Sequence, residues 1–342
     1  MIRKFAALTL LTVLAACSDS TGPENYDPVA TTSMAENILA ALSGNPALAS
    51  LAVLGPAMQL SVAQPALALA PFDPTDGSVT TADRMRTYRD LLPSFGATGS
   101  LALFPVDLLG KTFVYDTDLS RYALDSTATG APTDGVRFIL YAVDPVAGQV
   151  VLPLNPVGHV DIIDVSSPSA DAVQIVVVVN DITYLDYTAS AAQGTTSATL
   201  SAQGYLSNGT DQVDFDLTLT GTLSQAGLDY QVTGTDGTVH LVATLGSNNT
   251  VNATLTLQGS GETIALTLAI GPSTISGQIT YNGDVVVTVA GTPDSPTFTR
   301  PDGTALTQAE INALLAFGNI IETLFDAFDN LLAPALVVFA IG

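Results

Sequence analysis

Apolar and polar residues alternate along much of the second half of the chain. In residues 213–219, apolar side chains alternate with Asp214, Asp216 and Thr218. The same period of two returns in the segments 251–258, 264–270 and 275–281. Because successive side chains of a strand point to opposite faces, this pattern predicts strands with one buried and one solvated face.

Short turn sequences separate these segments. Asn208-Gly209, Asp236-Gly237 and Asn282-Gly283 are typical of tight hairpins, which need positive φ angles. We therefore predict about eight strands between residues 197 and 291, each joined to the next by a short turn. Short turns impose sequential antiparallel pairing, so these strands should form a long meander.

Other elements are predicted before the meander in the chain. Residues 111–116 and 121–125 form a predicted hairpin, and 136–144 and 173–179 are predicted strands. Residues 33–70 are rich in Ala and Leu, and residues 82–92 contain three arginines. We predict helices within residues 33–92, with a break at Gly44-Asn45-Pro46.

A long helix should follow the strands. Thr307 and Glu310 have the spacing of a capping box, and apolar residues recur at helical spacing after them. Pro334 predicts the end, which gives a helix over residues 307–333. The apolar residues 335–341 are compatible with a final strand or a buried tail.

Together these elements predict a mainly β (α+β) domain. The meander has one apolar face, so it should curl into a half-barrel or barrel-like sheet packed against the N-terminal helices and the long C-terminal helix. A transmembrane barrel also has alternating strands, but the amphipathic helix and the Thr-, Ser-, Asn- and Asp-rich strand faces argue against it.

The first residues have the pattern of a secretory signal peptide. Arg3 and Lys4 precede an apolar run that is too short to span a bilayer comfortably. Leu14-Ala15-Ala16-Cys17 follows this run and resembles the lipobox of bacterial secretory lipoproteins. The resemblance covers the signal segment only, and we recognise no enzyme or domain family beyond it.

The resemblance implies that Cys17 carries lipid and that cleavage occurs before it. The predicted organisation is a signal peptide at 1–16, a lipidated cysteine and flexible tether at 17–31, and one β-rich domain at 32–342. The membrane is then a partner through Cys17. Ser18 is not the Asp that retains some enterobacterial lipoproteins in the inner membrane, so the resemblance favours the outer membrane of the cell envelope.

Charge excludes one class of function. The chain has 9 Lys and Arg against 32 Asp and Glu, a formal charge of −23. Loss of Arg3 and Lys4 with the signal peptide leaves a charge of −25. Nucleic acid is thus not an expected partner, since its binding depends on cationic side chains.

Candidate chemistry is sparse, and we predict no enzyme, no cofactor, no metal site and no catalytic residue. His159 and Asp161 share a strand face, but two ligands do not specify a metal site. His240 is expected on a solvated strand face. The carboxylate pairs Asp214 with Asp216 and Asp73 with Asp76 lack the spacing of a specific calcium loop.

Three of the basic residues, Arg84, Arg86 and Arg89, are clustered. They would suit an acidic ligand, but pairing with the protein's own carboxylates is the simpler expectation.

Two functions fit this sequence. The first is a binding module in which the curled sheet holds a lipid or another hydrophobic ligand, since apolar residues concentrate on one face of the meander. The second is a structural or interaction lipoprotein whose helix completes the core. Small residues expected at inward positions leave room that either a helix or a ligand must fill; they are Ala198, Ala202, Ala243 and Ala253.

Overall fold

The computed structural model describes most of the chain after the N-terminal segment. The described residues are 27–29, 33, 36, 42, 45–58, 81–92, 103–144, 149–293 and 295–339. Cys17, the signal peptide, Asp73 and Asp76 lie outside them. The helices are α1 (Pro46–Ala57), α2 (Thr81–Leu91) and α3 (Gln308–Phe339).

Fifteen strands follow α2 and precede α3. They are β1 (Lys111–Asp116), β2 (Arg121–Asp125), β3 (Gly135–Tyr141), β4 (Pro156–Asp164), β5 (Asp171–Val179), β6 (Ile182–Gln193), β7 (Ala198–Ser207), β8 (Gln212–Gly221), β9 (Ala226–Gly234), β10 (Gly237–Leu245), β11 (Val251–Gly259), β12 (Glu262–Ile270), β13 (Ile275–Tyr281), β14 (Asp284–Thr292) and β15 (Ser295–Thr299).

All fifteen strands form one sheet that does not close. From β15 to β3 each strand lies beside its sequence neighbour, and β1 then pairs with β3 so that β2 forms the far edge. Every pair is antiparallel except β1 with β3. The protein is therefore mainly β, and β7 to β14 confirm the eight strands predicted between residues 197 and 291.

The predicted turn residues join the strands as expected. Asn282 and Gly283, between β13 and β14, have φ angles of 50° and 93°. Two consecutive residues with positive φ match the turn whose twist suits a two-residue hairpin. These turns fix the register, in which apolar residues face apolar residues across β8 to β12, as in Leu217 opposite Tyr230.

The predicted capping box begins α3. The backbone N–H of Thr307 donates to Glu310 Oε2 at 2.6 Å, and the Glu310 N–H donates to Thr307 Oγ1 at 3.4 Å. Arg300 adds two bonds of 3.1 Å to the same carboxylate. Although burial alone would raise the pKa of Glu310, these hydrogen bonds and the Arg300 charge lower it.

The predicted end of this helix was wrong. It continues through Pro334 to Phe339, so residues 335–339 are not a strand; they are buried, and they are part of the helix. Pro334 lacks the N–H that would bond the Asn330 carbonyl. The Tyr187 hydroxyl of β6 donates to the next carbonyl, that of Leu331, at 2.5 Å. Burial and this bond maintain the helix where local sequence predicts a stop. Beyond the predicted strands, β15 adds an edge that sequence analysis did not identify.

Leu324→Ala should reduce the free energy of unfolding by about 2–5 kcal/mol, because Leu324 is fully buried on α3 and truncation leaves a cavity. Leu315→Ala is the matched control on the same helix, since Leu315 is 41% exposed. Leu315→Ala should reduce the free energy of unfolding by less than about 1 kcal/mol. Urea unfolding of the full chain, followed by circular dichroism, measures both. Equal losses would contradict the burial of this helix face.

Candidate functional site

Part of the sheet face where a hydrophobic ligand was expected contacts α3. Ala189 and Ala191 of β6 and Ala202 of β7 are buried, and α3 contacts β6. Ala189 pairs with Ala202 across the two strands, which places small side chains side by side. Small residues allow a helix backbone to approach a sheet closely. We call this part of the buried face the alanine patch.

The last part of α3 is enclosed on all sides. Residues 334–339 are all buried, although consecutive residues of a helix point around its whole circumference. Tyr187 reaches α3 from β6, and Leu331 and Leu332 just before this segment are also buried. The last turns of the helix therefore lie in the interior of the protein. Of the four small residues expected inside, Ala198, Ala202 and Ala243 are buried, and Ala253 is partly buried.

A buried polar network joins residues of α2 to residues of α3. Arg84 donates to Asp326 at 2.8 Å and to Asp329 at 3.0 Å. Tyr88 donates to the other oxygen of Asp329 at 2.6 Å. Apolar contacts flank these bonds: Arg84 lies over the Phe325 ring, and the Tyr88 ring contacts Phe328. Each polar group of this network thus has a defined partner.

The network changes the titration of its members. Burial, together with the charge of Asp326, raises the pKa of Asp329 to about 6 despite the opposing effects of Tyr88 and Arg84. Burial also raises the pKa of Tyr88 well above its usual value, so its hydroxyl keeps its proton and donates to Asp329. The more exposed Asp326 supplies a counter-charge for Arg84.

The remaining arginines of the predicted cluster also pair internally. Arg86 bonds Asp83, and Arg89 bonds Asp90 at 2.8 Å. The expectation of internal pairing is confirmed for all three arginines. Each of the three guanidinium groups bonds at least one carboxylate of the protein.

Each of the two candidate histidines lies beside one carboxylate. His159 Nε2 is 3.8 Å from Asp161, which instead receives two short bonds from Arg137, at 2.6 and 2.7 Å. His240 bonds Asp229 at 2.8 Å on the outer face of the sheet. Asp214 and Asp216 are exposed on β8. Among the described residues no group of three or more His, Cys, Asp or Glu is arranged to hold a metal ion.

A cavity of about 480 Å³ lies on the opposite face of the sheet. It is formed by outer-face residues of β10 to β13, including Thr254 and Thr267. Sequence reasoning missed this site because each residue looks like an ordinary solvated strand position. Only the cross-strand pairing, which sets Thr254 opposite Thr267, brings the residues together.

The length and composition of α3 would also permit a membrane span. Of its most apolar window, 44% is buried inside the protein. On the same helix, Asp326 and Asp329 form ion pairs with Arg84.

The chain matches no protein-family model, no curated protein and no solved structure. Functional inference therefore depends on the chain's own residues. Those residues offer the filled trough under α3, the polar network and the outer-face cavity.

Substitutions at two buried tyrosines test whether the hydrogen bond from the Tyr187 hydroxyl to α3 stabilises the protein. Tyr187→Phe should reduce the free energy of unfolding by about 1 kcal/mol, because the Leu331 carbonyl loses its hydroxyl donor. Tyr230→Phe is the matched control: Tyr230 is equally buried, but its hydroxyl has no partner among the described residues. Removal of the Tyr230 hydroxyl should leave the free energy of unfolding unchanged or increase it. Equal destabilisation by the two variants, measured by urea unfolding, would contradict this assignment.

Asp329 should make stability depend on pH. Its pKa is about 6 in the folded protein against an ordinary value of 3.8, so its contribution is complete at low pH and is lost as pH rises through about 6. Relative to Asp329→Asn, the free energy of unfolding of the unmodified protein should fall by about 2 kcal/mol between about pH 4 and pH 7. A difference that does not change with pH would contradict the assigned burial.

Proposed function

We propose that this protein is a lipid-anchored component of a bacterial cell envelope, attached through Cys17. The support is the sequence around that residue: basic Arg3 and Lys4, an apolar run, small residues and a single cysteine. Two or three acyl chains on Cys17 would anchor the protein stably, whereas a single chain would not. Ser18 supports placement in the outer membrane, with residues 17–31 as the tether.

We further propose that the sheet curls around α3 and that the N-terminal helices cover the rest of its buried face. Contacts between α1 and α3 support this arrangement, as do the bonds of Arg84 and Tyr88 to Asp329. Asn45 also ties the start of α1 to the sheet, because its side-chain N–H donates to the Ser207 carbonyl at 2.9 Å.

Of the two functions that the sequence allows, we propose the structural or interaction lipoprotein, without enzymatic activity. The observation that supports this choice is the continuous burial of residues 334–339, since a helix buried there would fill space that a carried lipid needs. A ligand-binding trough would require α3 to leave the alanine patch and the Arg84 network to break. The surface available to partners is then the outer face of the sheet.

Cys17→Ser should release the full chain from membranes of an expressing Gram-negative bacterium. The unmodified protein should sediment with the outer membrane and carry the mass of a diacylglycerol and further acyl groups on Cys17. Ser18→Ala is the neighbouring control and should leave the attachment intact. Membrane association without acylation, or an unchanged distribution of Cys17→Ser, would overturn the anchor.

Native mass spectrometry of the detergent-purified full chain tests the filled interior separately. We expect a single species whose mass includes only covalently attached lipid. A stoichiometric, non-covalently bound lipid would overturn the filled interior and would instead support the binding module.

A further inference from the structure

The outer-face cavity has a polar but uncharged lining. Two cross-strand rows form it: Val242, Thr254, Thr267 and Gln278 in one, and Thr244, Asn252, Ala269 and Ser276 in the other. No Asp, Glu, Lys or Arg lines it. This is unusual for the surface of a chain with a formal charge of −23.

A glycine allows the strands to approach closely at this site. A Cβ atom on Gly277 would lie 2.1 Å from the Thr267 carbonyl oxygen and 2.8 Å from a methyl of Leu268. Only glycine fits such an approach of β13 to β12. On the outer face, the small side chain of Ala269 between Asn252 and Ser276 leaves further space, so the depression is built into the sheet.

The polar side chains of the cavity are not engaged with one another. Some hydroxyl and amide groups elsewhere on this face pair internally, as in Ser190 with Ser201 at 2.8 Å and Gln174 with Asp186 at 2.8 Å. Others, such as Thr188 and Thr218, form no side-chain hydrogen bond among the described residues, but they lie outside the cavity. In the described part of the chain, no side-chain hydrogen bond is formed by the six polar residues of the cavity: Thr244, Asn252, Thr254, Thr267, Ser276 and Gln278. They leave a set of neutral donors and acceptors directed to one concave space.

We propose that this cavity binds a neutral saccharide chain. Its volume of about 480 Å³ is within the range of small-molecule sites. Hydroxyl and amide side chains match the hydroxyl groups of a sugar, which donate and accept hydrogen bonds. Val242 and Ala269 supply apolar contacts for the C–H faces of sugar rings. The acidic protein around the cavity repels anionic polymers, which selects for uncharged glycans.

This inference rests on the proposal that the outer face is the interaction surface, but it does not depend on Cys17. Saturation-transfer difference NMR of the detergent-purified full chain should detect binding of neutral tetrasaccharides, with maltotetraose, cellotetraose and chitotetraose as probes. Tetragalacturonate, an anionic probe of similar length, should bind more weakly or not at all.

Paired substitutions locate the site. Thr254→Val together with Thr267→Val removes two cavity hydroxyls at constant shape and should weaken binding about tenfold. Thr188→Val together with Thr218→Val removes two hydroxyls from the same face on β6 and β8, at positions of matching exposure, and should leave affinity unchanged.

Three results would overturn the saccharide site: no binding of any neutral probe at millimolar concentration, equal losses in both double variants, or equal binding of tetragalacturonate. Each of these leaves the lipid anchor and the filled interior unaffected. Loss of membrane attachment in Cys17→Ser with intact saccharide binding would conversely support both proposals independently.

Discussion

The structure depends on covering one apolar face of a single open sheet. One sheet of fifteen strands places Leu217, Leu241 and Leu255 on the same side, where water contact would be costly. The C-terminal helix contacts this face at β6, and α2 contacts it at β8, β9 and β10. The contact at β6 explains the alanine patch, because small side chains on β6 and β7 let α3 approach.

Hydrophobic burial alone does not fix how the helix lies. The bonds of Arg84 and Tyr88 to Asp329, and of Tyr187 to the Leu331 carbonyl, are directional and occur at defined positions along α3. A buried carboxylate without partners would be strongly unfavourable, so displacement of α3 would expose or orphan these groups. The polar contacts therefore oppose alternative positions of the helix and favour a filled interior over a ligand-carrying one.

The sequence correctly predicted those elements that depend only on residues close together in the chain. Alternation in residues 213–219, the Asn282-Gly283 turn and the Thr307–Glu310 capping box each correspond to an observed feature. The continuation of α3 past Pro334 was not predictable, because it accompanies burial and a contact with Tyr187, which lies far away in the chain. The parallel β1–β3 pair, the Asp329 network and the outer-face cavity likewise depend on long-range pairing that no short segment encodes.

We thus propose different roles for the two faces of the sheet: the buried face holds the protein's own helix, and the outer face is available to partners. Hydrogen exchange of backbone amides in the full chain tests the central claim, that α3 is a permanent part of the core. The account predicts that residues 316–339 exchange as slowly as the strands β6 to β8, through one cooperative opening. Fast exchange of α3 while these strands remain protected would show a helix that leaves the sheet, and would contradict the account.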